Sequence, residues 1–306
     1  MVKLALAIHG GAGTILRSQM TPVLESEYRG GLENALKAGW NILENGGSSL
    51  DAVEAAVCSL EDFPLFNAGR GAVFTHEGQV ELDAAIMDGH NLKAGAVTFV
   101  KNIKNPVKLA RLIMENTEHI LLAGEGANQF AEQMGVKIEP DEYFFTEHRW
   151  LQLQEAMADG RVELDHSVAK PIGTVGAVAC DAQARLAAAT STGGMTNKKF
   201  GRVGDTAIIG AGTYADDTCA VSCTGHGEYF MLAATAHDVA ARMKYKGLNL
   251  FEAAQEAIDH LTAINGEGGL IAVDNRGTVT LPFNSEGMYR GKIESNNSAP
   301  LIEIYK

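Results

Sequence analysis

The sequence predicts an α/β protein in which antiparallel sheets carry helices on their outer faces, a layered sandwich. Three observations carry the prediction. Short β-branched or Ala-rich runs come in pairs joined by a few turn residues, the pattern of hairpins. Longer stretches place apolar residues three or four apart, the spacing of helices with one buried face. Each half of the chain supplies both, several hairpins and a pair of long helices. The 306 residues can bury a substantial core, and we read 1–306 as a single domain.

The first strand is Leu4 to Ile8, ending at His9-Gly10-Gly11-Ala12-Gly13. A glycine-rich loop after a strand suggests nucleotide binding. The dinucleotide fingerprint fails here for want of a third glycine, and no P-loop Lys-Ser/Thr follows. A tight turn between close backbones is the favoured reading. Glu25 to Glu44 is an amphipathic helix through Leu32, Leu36, Trp40 and Leu43, stopped by Gly46-Gly47. Ser48 or Ser49 caps the next helix, Leu50 to Glu61. The loop Asp62 to Gly71 holds two Phe and is predicted to pack inward. Its carbonyls then need partners, of which a cation is one. Ala72 to His76 and Gln79 to Met87 read as a hairpin, Leu92 to Val100 and His119 to Ala123 as strands, and Pro106 to Asn116 as a helix. Further helices run from Gly124 to Met134 and from Glu147 to Met157. The polar run 161–170 is expected to be mobile.

Beyond it, Thr174 to Cys180 and Arg185 to Ala189 form a hairpin. A hydroxyl-rich loop, Thr190 to Asn197, and the glycine-bounded turn Gly201 to Thr206 precede a strand, Ala207 to Ile209. Ala220 to Cys223 is a strand that leads through Thr224-Gly225-His226-Gly227 into a long helix, Tyr229 to Met243. Leu250 to Ile264 is a second helix. Leu270 to Asp274 pairs with Thr278 to Pro282, and Ile302 to Tyr305 closes the chain.

Composition narrows the function. A net charge of −13 argues against nucleic acid and anionic membrane surfaces as partners. Cys58, Cys180, Cys219 and Cys223 show neither metal-ligand spacing nor disulfide density. They read as small buried hydrophobes in a reducing compartment, Cys219 and Cys223 on one face of a strand. The apolar N-terminus is too short for a signal segment, and no stretch approaches a membrane span. A cytoplasmic protein is expected.

The sharpest chemical signal is Gly173-Thr174, where a polar run meets a buried strand. Taken alone, Thr before Val is ordinary strand composition. If the chain cut itself there, Thr174 would become an N-terminus, and its freed α-amine, of pKa about 8, could serve its own hydroxyl as base. No catalytic cofactor is then needed. Thr192 and Thr224 bring further hydroxyls to strand ends, although turn capping explains either alone. Arg202 and Asp205 are opposite charges on one turn. They suit an α-carboxylate and an α-ammonium, or simply form a surface ion pair. Thr224-Gly225-His226-Gly227 could aim a hydroxyl and an N–H at a developing oxyanion, with His226 more structural than basic.

Together these segments resemble a known family, the plant-type asparaginases or isoaspartyl (β-aspartyl) peptidases of the N-terminal nucleophile (Ntn) hydrolase class. The resemblance spans the chain. It rests on AIHGGAG at 7–13, PLFNAGRGAVFT at 64–75, ELDAAIMDG at 81–89, GTVGAVA at 173–179, AATSTGGMTNK at 188–198, GRVGDT at 201–206, SCTGHGE at 222–228 and LPFNSEGMYR at 281–290. It implies a four-layer αββα sandwich of two mainly antiparallel sheets. It also implies cleavage between Gly173 and Thr174 into an α subunit, 1–173, and a β subunit, 174–306. By resemblance Thr174 is the nucleophile, Thr192 supports it, Thr224 and Gly225 form the oxyanion hole, and Asn67 lies close by. Arg202, Val203, Gly204 and Asp205, with His226 and Gly227, line the substrate pocket. A structural sodium would be held by main-chain carbonyls of Leu60, Glu61, Phe63, Phe66, Ala68 and Arg70. The implied substrates are L-asparagine and β-aspartyl dipeptides, and the implied assembly a homodimer of αβ units. His226 stands where relatives often carry Thr, and Arg70 where they vary. The nearest other activity is that of a glycosylasparaginase; an uncleaved amino-acid-binding protein is the alternative from another class.

Overall fold

The computed structural model describes residues 3–158, 173–295 and 297–306. The run 161–170 lies outside the described residues. The larger sheet has eight strands. From one edge they are Asn297–Tyr305 (β12), Gly287–Glu294 (β11), Ala5–Gly13 (β1), Val175–Cys180 (β5), Leu186–Thr192 (β6), Leu82–Asp88 (β2), Lys93–Val100 (β3) and Leu121–Ala123 (β4). The smaller holds Val279–Thr280 (β10), Gly268–Asp274 (β9), Cys219–Gly225 (β8) and Thr213–Ala215 (β7). Among these strands only β3 and β4 pair in parallel.

Side-chain alternation sorts the apolar residues into layers. In β1, Leu6 and Ile8 belong to the core under the helices Pro22–Glu44 (α1) and Ser49–Glu61 (α2), while Ala5 and Ala7 belong to the layer between the sheets. Val175, Ala177 and Ala179 of β5 join the helix-side core, and Val178 and Cys180 the inter-sheet layer. In β8, Cys219, Val221 and Cys223 meet the helices Thr235–Lys246 (α8) and Leu250–Ala263 (α9). With Pro106–Asn116 (α3) packed beside α2 over β2 and β3, the order is helix, sheet, sheet, helix, the αββα sandwich of the Ntn hydrolases. The caps follow the local chemistry. Thr21 accepts the Leu24 N–H at 3.2 Å, Ser48 rather than Ser49 caps α2, and Asn249 with Glu252 forms a capping box on α9. The remaining α-helices among the described residues are Gly124–Gln133 (α4), Asp141–Phe144 (α5), Glu147–Ala158 (α6) and Gly227–Ala233 (α7).

The structure departs from the sequence reading at several elements. Ala72 to His76 is not a strand, because its backbone is drawn to the Thr196–Lys198 segment: Asn197 N–H donates to Phe74 and His76 N–H to Lys198. β2 pairs instead with β3 and β6. Ala207 to Ile209 is a turn folded onto the Asp205 carbonyl, which accepts from Ile208 and Gly212. The expected Tyr229–Met243 helix is two, α7 and α8, broken where Ala234 turns left-handed at φ 46°. The first amides of α8 explain the break, since Ala236 and His237 donate to Ala211 and Gly210 across the chain. Three of the cysteines are buried, whereas Cys58 is partly buried against the main core. No described helix is long and apolar enough to cross a membrane.

Candidate active site

Thr174 stands at the mouth of β5, held between β1 and β6. Its hydroxyl donates to Thr192 Oγ1 at 3.1 Å, and Thr192 Oγ1 also accepts the Gly194 N–H at 3.0 Å. The two threonines meet because β5 and β6 form a hairpin that ends with Thr192 beside the start of β5. Gly173 is wedged on the other side. A Cβ on it would lie 2.6 Å from Gly11 Cα, 2.9 Å from Ala12 N and 3.0 Å from Thr224 Oγ1. Gly11 has φ +120°, at the register shift in β1, so both the turn and the close approach require glycine there. The His9-Gly10-Gly11 segment is therefore a backbone cradle for the residue before Thr174.

His9 is the residue the sequence reading passed over. It is fully buried, and its Nδ1–H donates to the Thr174 carbonyl at 2.8 Å. A carbonyl only accepts, so the ring proton sits on Nδ1. Nε2 must then accept from Ser222 Oγ, also at 2.8 Å. The Thr190 hydroxyl donates to Ser222 at 2.7 Å, and Thr213 donates to Thr190 at 2.6 Å. This one-directional chain crosses the inter-sheet layer and requires a neutral imidazole. Burial accordingly lowers the His9 pKa from 6.5 to about 3, with the Thr174 bond opposing the shift. Between those values the folded protein binds fewer protons than the unfolded chain. The stabilisation is full above 6.5 and is lost as pH falls towards 3. Melting temperatures of wild type and His9→Gln should therefore converge as pH is lowered from about 7 to about 4. A gap independent of pH would refute the assignment.

Asn67 does not point freely at the nucleophile. Its Oδ1 accepts Val73 N–H at 3.0 Å, and its Nδ2 donates to Gly194 O at 2.8 Å. It ties its own loop to the turn that follows Thr192. Thr224 is buried, and its Oγ1 accepts Ala12 N–H at 3.2 Å. Gly225 has φ +145°, and a Cβ there would meet Glu267 O at 2.3 Å.

The recognition turn lies close to these groups, since Arg202 Nη1 is 3.6 Å from where a Cβ on Gly194 would stand. Arg202 and Asp205 do not form a simple surface pair. Asp205 is buried and its Oδ2 has no partner among the described residues. Burial pushes its carboxyl up to about 7, with Arg202 pulling the other way. Gly227 sits where the two meet, for a Cβ on it would be 2.7 Å from Asp205 Oδ1 and 3.0 Å from Arg202 Nη2. Val203 is half-buried between them in sequence, while Gly204 is buried against Arg202 Nη1. Arg202 donates from Nε and Nη2 to the two carboxylate oxygens of Glu228, each at 2.9 Å. Burial lowers the pKa of His226, whose Nε2 is 3.4 Å from Glu228 Oε2. Glu228 is a second residue the sequence reading missed, although it closes the SCTGHGE motif.

The loop expected to hold sodium is turned inward. A Cβ on Gly69 would meet Glu61 O at 2.5 Å, and one on Gly71 would meet Phe66 O at 2.2 Å. Glu61 Oε2 is a buried atom without a partner among the described residues. The buried Arg149 of α6 donates to Gly71 O and Leu65 O, neither of them an implied ligand. Backbone carbonyls are hard oxygen donors of the kind that hard cations take, and each has two lone pairs, although Leu60 O, Phe63 O, Phe66 O and Ala68 O each accept one backbone N–H within the loop.

The αββα layering is the fold of the Ntn hydrolases, and Thr174 immediately precedes a central strand of the larger sheet. Comparison with known proteins narrows this. A family model described as asparaginase matches residues 2–302. An isoaspartyl peptidase of Salmonella typhimurium is 53% identical over 298 residues, covering 95% of each chain. An isoaspartyl peptidase/L-asparaginase of Xenopus laevis is 45% identical, over 94% of this chain and 91% of its own. A probable isoaspartyl peptidase/L-asparaginase 2 of Arabidopsis thaliana is 42% identical, over 94% of each. The chain belongs to the asparaginase family.

Proposed function

We propose that this chain cuts itself between Gly173 and Thr174, and that the exposed Thr174 then hydrolyses side-chain amides of L-aspartate. The substrates are β-aspartyl dipeptides and L-asparagine. The observation that carries the reading is the meeting of Thr174 Oγ1 with Thr192 Oγ1 at 3.1 Å, beside a Gly173 wedged between Gly11 and the Thr224 hydroxyl. In the first reaction Thr174 Oγ attacks the Gly173 carbonyl, the Gly173–Thr174 C–N bond breaks to free the Thr174 amine and leave an ester on Oγ, and water hydrolyses that ester to the Gly173 carboxylate and the free Thr174 hydroxyl. In the second that amine takes the Oγ proton as Oγ attacks the substrate's β-carbonyl. Thr224 Oγ–H and the Gly225 N–H face the oxyanion. Collapse expels ammonia or an amino acid, protonated by the same amine. Water then releases aspartate from the β-aspartyl ester.

Arg202 takes the substrate's α-carboxylate and Asp205 its α-ammonium. Sodium held by the carbonyls of Leu60, Glu61, Phe63, Phe66, Ala68 and Arg70 would brace the loop that carries Asn67. We place the enzyme in the cytoplasm, as a homodimer of αβ units.

Intact mass, fresh and after days at neutral pH, tests the cut, and release of aspartate from a β-aspartyl dipeptide tests the activity. A stable single chain that binds aspartate without hydrolysing the dipeptide would overturn the reading. The Asp205 assignment has its own test. Asp205 ionises as pH rises through about 7, and only the carboxylate pairs with an ammonium. The KM for the dipeptide should therefore fall over that range. Asp205→Asn should flatten the profile and raise KM about tenfold or more.

A further inference from the structure

Arg202 presents two edges of a planar fork. One edge, Nε with Nη2, is filled by Glu228 at 2.9 Å on both contacts. The other, Nη1 with the second Nη2 hydrogen, lies against Gly204 and Gly227. A Cβ at Gly204 would come within 2.9 Å of Nη1, and one at Gly227 within 3.0 Å of Nη2. That open end faces the ground shared with Asp205 Oδ1, which is 2.7 Å from the same Gly227 position. Glu228 is held from behind: His226 Nε2 lies 3.4 Å from Oε2, and the His226 ring rests edge-on against Tyr229 with centroids 4.7 Å apart. Burial alone would raise the Glu228 carboxyl, but Arg202 outweighs it and keeps the group ionised below the usual carboxylate range.

We infer that Glu228 is a positioning residue for substrate recognition: by occupying the Nε–Nη2 edge of Arg202 it fixes the Nη1–Nη2 edge to receive the substrate's α-carboxylate. This rests on the reading of Arg202 proposed above. A guanidinium can serve two carboxylates at once, one on each edge. Glu228 and the substrate therefore share Arg202 without competing for it. The single glycines at 204 and 227 leave the Nη1–Nη2 edge uncovered.

The test uses the mature enzyme and two competitive inhibitors that differ at one group. These are L-aspartate, which has the α-carboxylate, and its α-amide, L-isoasparagine, which lacks it. In Glu228→Gln, the inhibition constant of aspartate and the KM of a β-aspartyl dipeptide should rise about three- to tenfold, the range for an unfixed side chain at a binding site. The constant for isoasparagine should stay put, and kcat should fall far less than KM rises. Glu228→Asp, whose carboxylate stops one methylene short, carries the same expectation should the Gln variant not mature. Adding Glu228→Gln to Arg202→Lys should change nothing further. A lower KM would overturn the inference by showing that Glu228 competes with substrate. An equal rise for both inhibitors would overturn it by showing a general structural role, and no change would do the same. Wild type measured alongside separates the two levels: an inactive wild type sinks the functional reading and this inference together, whereas an active one with an unmoved variant sinks this inference alone.

Discussion

Thr174→Ala leaves the protein as one 32.5 kDa chain and removes hydrolysis of β-aspartyl dipeptides. Two losses coincide in that variant. Without Oγ nothing attacks the Gly173 carbonyl, so the chain stays whole. Without the cut the residue at 174 keeps an amide nitrogen, which cannot serve as base. Removing a nucleophile from a concerted site costs about 10⁴-fold or more in rate, with what remains coming from binding and the oxyanion hole. Denaturing electrophoresis and an aspartate-release assay read both losses. Thr174→Ser separates them, since it keeps a hydroxyl and should cut and turn over, more slowly. An uncut wild type would place the nucleophile elsewhere, as would an Ala variant that is cut.

Gly173→Ala is the second large effect, and it falls on maturation alone. The new methyl would sit 2.6 Å from Gly11 Cα and 2.9 Å from Ala12 N, both backbone atoms with nowhere to go. The scissile carbonyl then moves relative to Thr174 Oγ and the Thr224 hydroxyl. A misplacement of about 1 Å costs roughly a hundredfold, so cutting should slow by that factor or more. The residue belongs to the departing end, so it has no part in substrate turnover. Residues 1–173 carrying the Ala, co-expressed with 174–306, should therefore turn over as fast as the same two pieces with Gly173. Lower turnover than the Gly173 pair would show that position 173 matters after the cut as well.

Local signals explain what the sequence disclosed. The α1 stripe of Leu32, Leu36, Trp40 and Leu43 is legible because helical spacing is written within a few turns, and all four residues are buried. Thr174 and the Arg202–Asp205 turn stand out because their chemistry is compact in sequence. β11 was invisible as a strand, since Arg290 and Lys292 interrupt its apolar alternation. In the fold Arg290 pairs with Glu303 on β12 at 2.7 Å and lies over the Phe283 ring. The break at Ala234 has no glycine or proline to announce it, because its cause is the distant loop at Gly210 and Ala211. His9 was opaque for the same reason. Its partners are 165 and 213 residues away, and nothing near it in the chain hints at either.

The order of the large sheet bears on how such a molecule comes into being. β5 and β6, which begin the piece after the proposed cut, are hydrogen-bonded to β1 on one side and β2 on the other, and β11 flanks β1 as well. The large sheet is therefore shared between the two pieces, and only the four-stranded sheet lies wholly within the second. The uncut chain folds as a single body, with its loops closed by covalent connection. Once severed, the same architecture is a complex of two strangers, and its recovery from denaturant depends on their meeting. Renaturation yield should climb with protein concentration for the cut enzyme and ignore it for Thr174→Ala, short of aggregation. Cut at the proposed bond, the precursor would act as a template used once, and the working enzyme would owe its lifetime to a barrier against coming apart.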